Sequence, residues 1–272
     1  MTVTVGTDLG DPAGAPGGEG PDRESPVGVG AAGLRVVDAV KTIDGVRILD
    51  GVSFGASAGR VTALLGPNGA GKSTVLRALI GQVGLDSGRV LVEDRPFGGH
   101  RRPVRVVGVL PATDELHPGR TATGHLRTVA AAGGLSRDRV RSVLATVGLT
   151  DFADVRIGEM SLGTRQRLAL AVALIGDPRI LILDEPHNGL DAAAIRWLRT
   201  VLRRYTAAGR TVLIASHLLG ELQHLADDLV VIDDGRVVAA GGIDALVGGR
   251  HARATAPGLL EEWYFGIVGV VA

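Results

Sequence analysis

Hydrophobic and polar positions follow two alternating regimes along the chain. Short, nearly continuous apolar runs occur at Val61-Thr62-Ala63-Leu64-Leu65, at Ile180-Leu181-Ile182-Leu183 and at Thr211-Val212-Leu213-Ile214-Ala215. Such runs predict strands, and the last two predict strands covered on both faces, as in a parallel sheet. Between them the period lengthens. Val75, Leu76, Leu79 and Ile80 share one helical face, as do Val140, Val143, Leu144 and Val147, and Ile195, Leu198, Val201 and Leu202. Strand and helix alternate, which predicts an α/β fold with a mixed sheet core.

The remaining elements follow in chain order. Leu34-Arg35-Val36-Val37 and Arg47-Ile48-Leu49 read as strands around a turn at Asp44-Gly45, and residues 50–54 continue the sheet. These form an antiparallel β subdomain. Strands are predicted at residues 89–92 and 104–110. Residues 112 to about 157 read as a helical insert: a helix over 121–132, then one capped by Ser136. A further helix begins at Ser161 and runs to Asp177-Pro178, where the proline ends it. Asp191 reads as the cap of the next helix. The predicted domains are a disordered tail over 1–33, rich in Gly, Pro, Asp and Glu, a main domain over 34–248 with a helical subdomain at about 112–175, and an extension over 249–272. The apolar stretch from Trp263 to the end reads as a helix or strand packed on the core.

Chemistry enters at Gly66-Pro67-Asn68-Gly69-Ala70-Gly71-Lys72-Ser73-Thr74, between the first apolar strand and its helix. Strand, glycine loop, lysine and helix form a phosphate-cradling P-loop in its expected context. The glycines turn backbone N–H groups inward at a helix start, where the dipole favours negative charge. Lys72 would reach the β- and γ-phosphates and Ser73 would ligate Mg²⁺. Of the 29 Lys+Arg only two, Lys41 and Lys72, are lysine. A compact ammonium suits this cradle where a planar guanidinium does not. Asp184 ends one buried strand and His217 follows the next, one crossover unit away. Neighbouring parallel strands would bring both to the same sheet edge, beside the P-loop.

Composition narrows the classes. The formal net charge is zero and aromatics are 3%, which argues against nucleic acid as a partner. There is no cysteine, excluding disulfides and thiolate metal sites. No apolar run is long enough to span a bilayer and no signal peptide is recognised, so a cytoplasmic protein is expected.

Taken together, residues 66–74, Ser161-Leu162-Gly163-Thr164-Arg165-Gln166-Arg167, residues 180–186, Gly189-Leu190-Asp191 and His217 resemble the nucleotide-binding subunit of an ABC transporter, from about residue 34 to 241. Ser161-Leu162-Gly163, His117-Pro118-Gly119-Arg120 and Leu260-Glu261-Glu262-Trp263-Tyr264-Phe265 are similar to the drug-export branch. The resemblance implies an ATPase that powers a separate integral membrane permease, its motion passed on through the loop from Ala112 to Arg120. It implies a location at the cytoplasmic face of the membrane. Two copies would face head to tail with ATP between them, each ATP touching one P-loop and the partner's Ser161 and Gly163. Asp184 and Ser73 would hold Mg²⁺, Glu185 would polarise the attacking water, His217 would contact the γ-phosphate, and Asp191 would organise the dimer seam.

Three positions depart from that pattern. Ile43 stands where the family usually places an aromatic ring on adenine. Ala112 and Thr113, followed by Asp114 and Glu115, stand where a glutamine usually lies near Mg²⁺. Leu162 and Thr164 replace the commoner glycine and glutamine, leaving the backbone amides in place. Two other classes compete: an ABC ATPase acting on ribosomes or DNA, and a catalytically weakened binding module. A metabolic P-loop kinase leaves residues 161–167 unexplained.

Overall fold

The computed structural model describes residues 33–111, 113–248 and 258–269. The expected tail over 1–32, Ala112, and residues 249–257 and 270–272 of the extension lie outside the described residues.

Two sheets and eight described helices build the chain. Strands β1 (Leu34–Ile43), β2 (Val46–Ala56) and β4 (Ser87–Val92) pair in the order β2-β1-β4, all antiparallel. The second sheet runs β5-β6-β7-β3-β8-β9: β5 (Val107–Val109), β6 (Ile180–Asp184), β7 (Thr211–Ala215), β3 (Val61–Leu65), β8 (Asp228–Asp233) and β9 (Arg236–Gly242). Its strands are parallel except β9, which returns antiparallel to β8. The fold is α/β with mixed sheets, as the sequence pattern predicts.

The long apolar runs are explained by burial on both faces. Val61, Ala63, Leu181, Leu183, Val212 and Ile214 join one core, and Leu64, Ile180, Ile182, Leu213 and Ala215 the other. Successive side chains point to opposite faces of a strand, so each strand feeds two cores at once. The first core is completed by helices α2 (Ala122–Ala132), α3 (Asp138–Thr146), α4 (Leu162–Leu174), α5 (Ala192–Ala207) and α6 (Leu219–Leu225). The second is completed by α1 (Lys72–Leu79) and the antiparallel sheet. Two short helices finish the described chain, α7 (Ile243–Leu246) and α8 (Leu259–Val268). Within its described residues the C-terminal apolar stretch is a helix to Val268, seated through buried Leu260 and Tyr264, with the Leu260 amide donating to Gln223 Oε1 on α6 (3.3 Å).

Several boundaries differ from the sequence reading. Residues 47–54 form one strand, β2. The strand expected over 104–110 is only β5, because Pro103 opens a 3₁₀ turn, Pro103–Arg105, just before it. Ser136 is not the cap of α3: Arg137 precedes the helix, without a side-chain cap. The predicted apolar face of α3 does hold, with Val140, Val143 and Leu144 buried. Helix α4 stops at Leu174, before Asp177-Pro178. Gly176 there passes so close to Val104 that a Cβ would lie 1.9 Å from its carbonyl oxygen, and Asp177 already has φ +51°. A tertiary crossing, not the proline, ends the helix.

Candidate functional site

Residues 66–71 carry the chain from β3 into α1. Gly66 has φ +149°, and a Cβ there would sit 2.0 Å from the Ile232 carbonyl oxygen on β8. Gly71, at φ +104°, precedes α1, and its Cβ would meet Leu49 Cδ2 at 2.7 Å and the Ile48 oxygen at 2.8 Å. Both positions therefore need glycine for space as well as for dihedral freedom. Pro67, Asn68 and Gly69 are exposed at the rim, while Ala70 is buried. Lys72 folds back under the loop, donating to the carbonyl oxygens of Gly66 (2.7 Å) and Pro67 (2.9 Å). Burial pushes its ammonium below the ordinary lysine range, opposed by Glu185 and Asp184. Thr74 is half-buried in the first turn of α1.

The carboxylates come from β6. Its last residue, Asp184, pairs with Ala215 of β7 and accepts a bond from Ser73 Oγ (3.0 Å). Asp184 keeps a solvent-accessible edge, yet partial burial still pushes its carboxyl up, with the Ser73 bond pulling the other way. Glu185 turns out of the strand at φ +46°, a conformation few non-glycine residues adopt. Its amide donates to the Ala215 oxygen (2.8 Å), tying the turn to β7. From the end of β7, His217 Nδ1 donates to Glu185 Oε1 (2.8 Å). Glu185 Oε2 is buried without a partner among the described residues. The P-loop, Asp184, Glu185 and His217 are therefore brought together, as their places at strand ends predict.

Ser161 and Asp191 both cap helices through their side chains. Ser161 Oγ accepts from the Thr164 amide (3.2 Å) at the start of α4 and bonds the Thr164 hydroxyl (2.8 Å). Asp191 Oδ1 accepts from the Ala194 amide (2.7 Å) at the start of α5. Ser161 and Asp191 are exposed, Gly163 is partly covered, and none of the three lines the cavity beside Ser73. That cavity, about 620 Å³, is lined by Ser73, Asp184 and Glu185 together with Gln82, Thr113, Asp114, Glu115 and Asn188. The acidic pair that follows Ala112 thus faces the same space as the Ser73–Asp184 bridge. Ile43 is 41% exposed at the tip of the β1–β2 hairpin, directly paired with Val46, which is 61% exposed.

This set of groups fits a nucleotide triphosphate and a hard divalent cation. Amides opening α1 and an ammonium beneath them suit phosphate oxygens. Among the described residues no group of three His, Cys, Asp or Glu could hold a metal ion. A hydroxyl and one carboxylate side by side, Ser73 and Asp184, are the donor set that Mg²⁺ uses when phosphates complete its shell.

The family model for ABC transporter matches residues 49–188, from inside β2 to just past Glu185. The chain belongs to the ATP-binding proteins of the ABC transporter family. The lantibiotic transport ATP-binding protein SrtF of Streptococcus pyogenes is 36% identical over 205 residues, covering 75% of this chain and 89% of the relative. The Nod factor export ATP-binding protein I of Bradyrhizobium diazoefficiens is 39% identical over 201 residues, covering 72% of this chain and 66% of the relative. A solved ATP-binding subunit of an ABC transporter superposes with a TM-score of 0.75 at 28% identity, covering 86% of this chain and 98% of that one. As an ABC ATP-binding protein the chain is an ATPase. Among its described residues no helix is long and apolar enough to cross a membrane.

Three residues of this ABC ATP-binding chain were not legible as part of the site. Gln166 is buried and reaches the Glu185 and Pro186 carbonyls. His187 is buried inside the turn after Glu185, its Nδ1 without a partner among the described residues. Val46 doubles the exposed aliphatic tip beside Ile43. Gln166 stands inside the 161–167 motif and His187 just after residues 180–186, but their burial is a tertiary fact. Val46 carried a signal, since the Asp44-Gly45 turn sets it opposite Ile43.

Proposed function

We propose that this chain is the ATPase subunit of an export-type ABC transporter and that it drives a separate integral membrane permease from the cytoplasmic face of the membrane. The two relatives named above are a lantibiotic transport and a Nod factor export ATP-binding protein, which supports the export direction. The observation that carries the catalytic reading is the Glu185–His217 pair set beside the Ser73–Asp184 bridge and Lys72. In this reading residues 34–248 form the ATPase domain, with its helical part at about 112–175.

The residues divide the work as follows. Lys72 leaves the Gly66 and Pro67 carbonyls and takes phosphate oxygens instead, while the amides of residues 69–74 wrap the same group. Ser73 and Asp184 would hold Mg²⁺, which would supply positive charge against the phosphates. Glu185 Oε2, the oxygen His217 leaves free, orients the attacking water and draws on its proton. His217 fixes Glu185 through Oε1 and reaches toward the γ-phosphate with its other nitrogen. Ser161 and Gly163 supply a second set of helix-start amides to the nucleotide of a second copy, and Asp191 lies along that seam. Ile43 and Val46 offer the adenine an aliphatic contact.

The test is steady-state ATP turnover by the purified chain beside Glu185→Gln. A positioned general base contributes about 10²–10⁴-fold, so a loss of that size is expected. Equal turnover in the two proteins would remove Glu185 from the mechanism. The same variant with Mg²⁺ and ATP is expected to self-associate, read by light scattering. A monomer at every concentration would remove the paired arrangement.

A further inference from the structure

Helix α4 is apolar along its buried side except at one position. Gln166 is 6% exposed and is the one polar residue among the buried residues of α4. A buried amide without partners is costly, so its contacts locate what it is there to hold. Its Nε2 donates to the Pro186 oxygen (3.2 Å) and reaches the Glu185 oxygen (3.4 Å). Those two carbonyls belong to the turn that aims the Glu185 carboxylate. That turn is strained, with Glu185 at φ +46°. A non-glycine residue holds such a dihedral only when its surroundings over-determine it. Three bonds do so: the Glu185 amide to Ala215, the Asn188 amide back to the Glu185 oxygen (3.2 Å), and the Gln166 amide from outside.

The first turn of α4 touches the same segment a second time. A Cβ on Gly189 would lie 2.4 Å from Leu162 Cγ, and a Cβ on Gly163 would lie 3.0 Å from the Gly189 oxygen. Leu162 thus packs directly over Gly189, and a Cβ there would have to displace its side chain. The start of α4 is clamped to residues 185–191 at both ends, by packing at Gly189 and by the Gln166 bonds at Glu185 and Pro186. A packed contact of this kind shifts as a block rather than bending. Displacement of the α4 start is therefore delivered to the Glu185 turn of the same chain.

We propose that Gln166 is a positioning residue that makes the aim of Glu185 depend on whether the Ser161 end of α4 is engaged by the nucleotide of a second copy. The proposal rests on the paired reading above. Gln166 lines the cavity beside Ser73, but the bonds it donates go to the Glu185 turn and not into that space. It carries the engagement of one nucleotide, at Ser161, to the base that serves the other. A chain bound to ATP but unpaired then has its base misaimed, and turnover waits for the pair.

The test uses the full chain with Gln166→Met, which keeps length and packing and removes the donor. In the unmodified protein, turnover per chain is expected to rise with protein concentration as pairs form. In Gln166→Met, maximal turnover is expected to fall at least tenfold and to lose that rise, while KM for ATP changes less than twofold. Self-association of the Gln166→Met/Glu185→Gln double variant with ATP is expected to match that of Glu185→Gln alone. Turnover within twofold of the unmodified chain, or a parallel loss of ATP affinity and association, overturns the proposal. If Gln166→Met fails to fold, Gln166→Glu carries the test. A carboxylate cannot donate to the Pro186 oxygen whereas the neutral acid can, so its turnover relative to the unmodified chain is expected to rise as pH falls from 8.5 to 6. A flat ratio overturns it. If Glu185→Gln neither slows turnover nor self-associates, the paired reading itself has failed. If it does both and the Gln166 variants behave as the unmodified chain, only the present inference fails.

Discussion

His217 Nδ1 and Glu185 Oε1 lie 2.8 Å apart, joined across the ends of two neighbouring parallel strands. The His217 side chain is 60% exposed and that of Glu185 only 25%, so the histidine closes the solvent side of the carboxylate. One carboxylate oxygen is thereby committed and the other, Oε2, is left buried. A side chain this exposed contributes little to folding, and its removal is predicted to change stability by no more than about 0.5 kcal/mol. Its effect on turnover is different in kind. His217→Ala is expected to lower kcat by roughly 10²-fold, within the range for a lost acid–base partner. Thermal melts and steady-state kinetics on the same preparation check both halves. A large fall in melting temperature with unchanged kcat would assign His217 to the fold instead.

The glycines of the phosphate loop separate dihedral freedom from space. Gly69 has φ +84° and no atom within 4 Å of its Cβ position, whereas Gly66 would drive a Cβ to 2.0 Å from the Ile232 oxygen. Gly69→Ala should therefore cost about 1–2 kcal/mol, the price of the left-handed dihedral alone. Gly66→Ala adds a backbone clash with β8 and is expected to cost more than about 3 kcal/mol, or to prevent folding. Denaturant titrations of both variants test the order. Equal losses would mean that the β3–β8 spacing relaxes around the new methyl.

The hairpin tip gives a prediction about the base of the nucleotide. The Gly71 Cβ position lies 2.8 Å from the Ile48 oxygen, so strand β2 leans on the end of the phosphate loop and holds the tip of its hairpin nearby. That tip presents Ile43 and Val46, two aliphatic side chains with no ring between them. Ile43→Tyr is expected to tighten ATP binding by about 1–3 kcal/mol, the value of one stacked base. Affinity for inorganic tripolyphosphate, which has no base, should not move. Calorimetry with the two ligands decides it, and equal affinity of Ile43→Tyr and the unmodified chain for ATP would place adenine elsewhere.

Much of the site was legible because its residues sit where one regime of the sequence stops and another starts. The phosphate loop follows an apolar strand, Asp184 and Glu185 end another, and His217 ends a third, so order along the chain translates into one sheet edge. Caps read from Ser161 and Asp191 hold because a local side chain satisfies a local amide. Where the deciding contact is distant in sequence, the reading failed. The end of α4 is set by Gly176 beneath Val104, 72 positions earlier in the chain. The burial of Gln166 and His187 likewise depends on the packing of α4 against the Glu185 turn, which no local pattern encodes.

That buried turn also makes stability depend on pH. Burial pushes the His187 imidazole below its ordinary range; Glu221 and Glu185 pull it up, and Arg199 and His217 push it further down. His125 is lowered in the same way by burial, then by Arg120 and His117. For both, the folded chain binds a proton less readily than the unfolded chain, whose histidines titrate near 6.5. Stability attributable to them is therefore full above about 6.5 and falls as pH drops through that value toward the folded pKa. Asp50, Asp86 and Asp177 are held low, chiefly by bonds from Arg236, Lys41 and Arg210, and lose their contribution only in more acid solution. The melting temperature is accordingly expected to fall between pH 7.5 and 5.5, and the fall should flatten in His187→Gln/His125→Gln, which cannot take up the protons. An unchanged slope in that double variant would show that these imidazoles are as easily protonated in the folded chain as in the unfolded one.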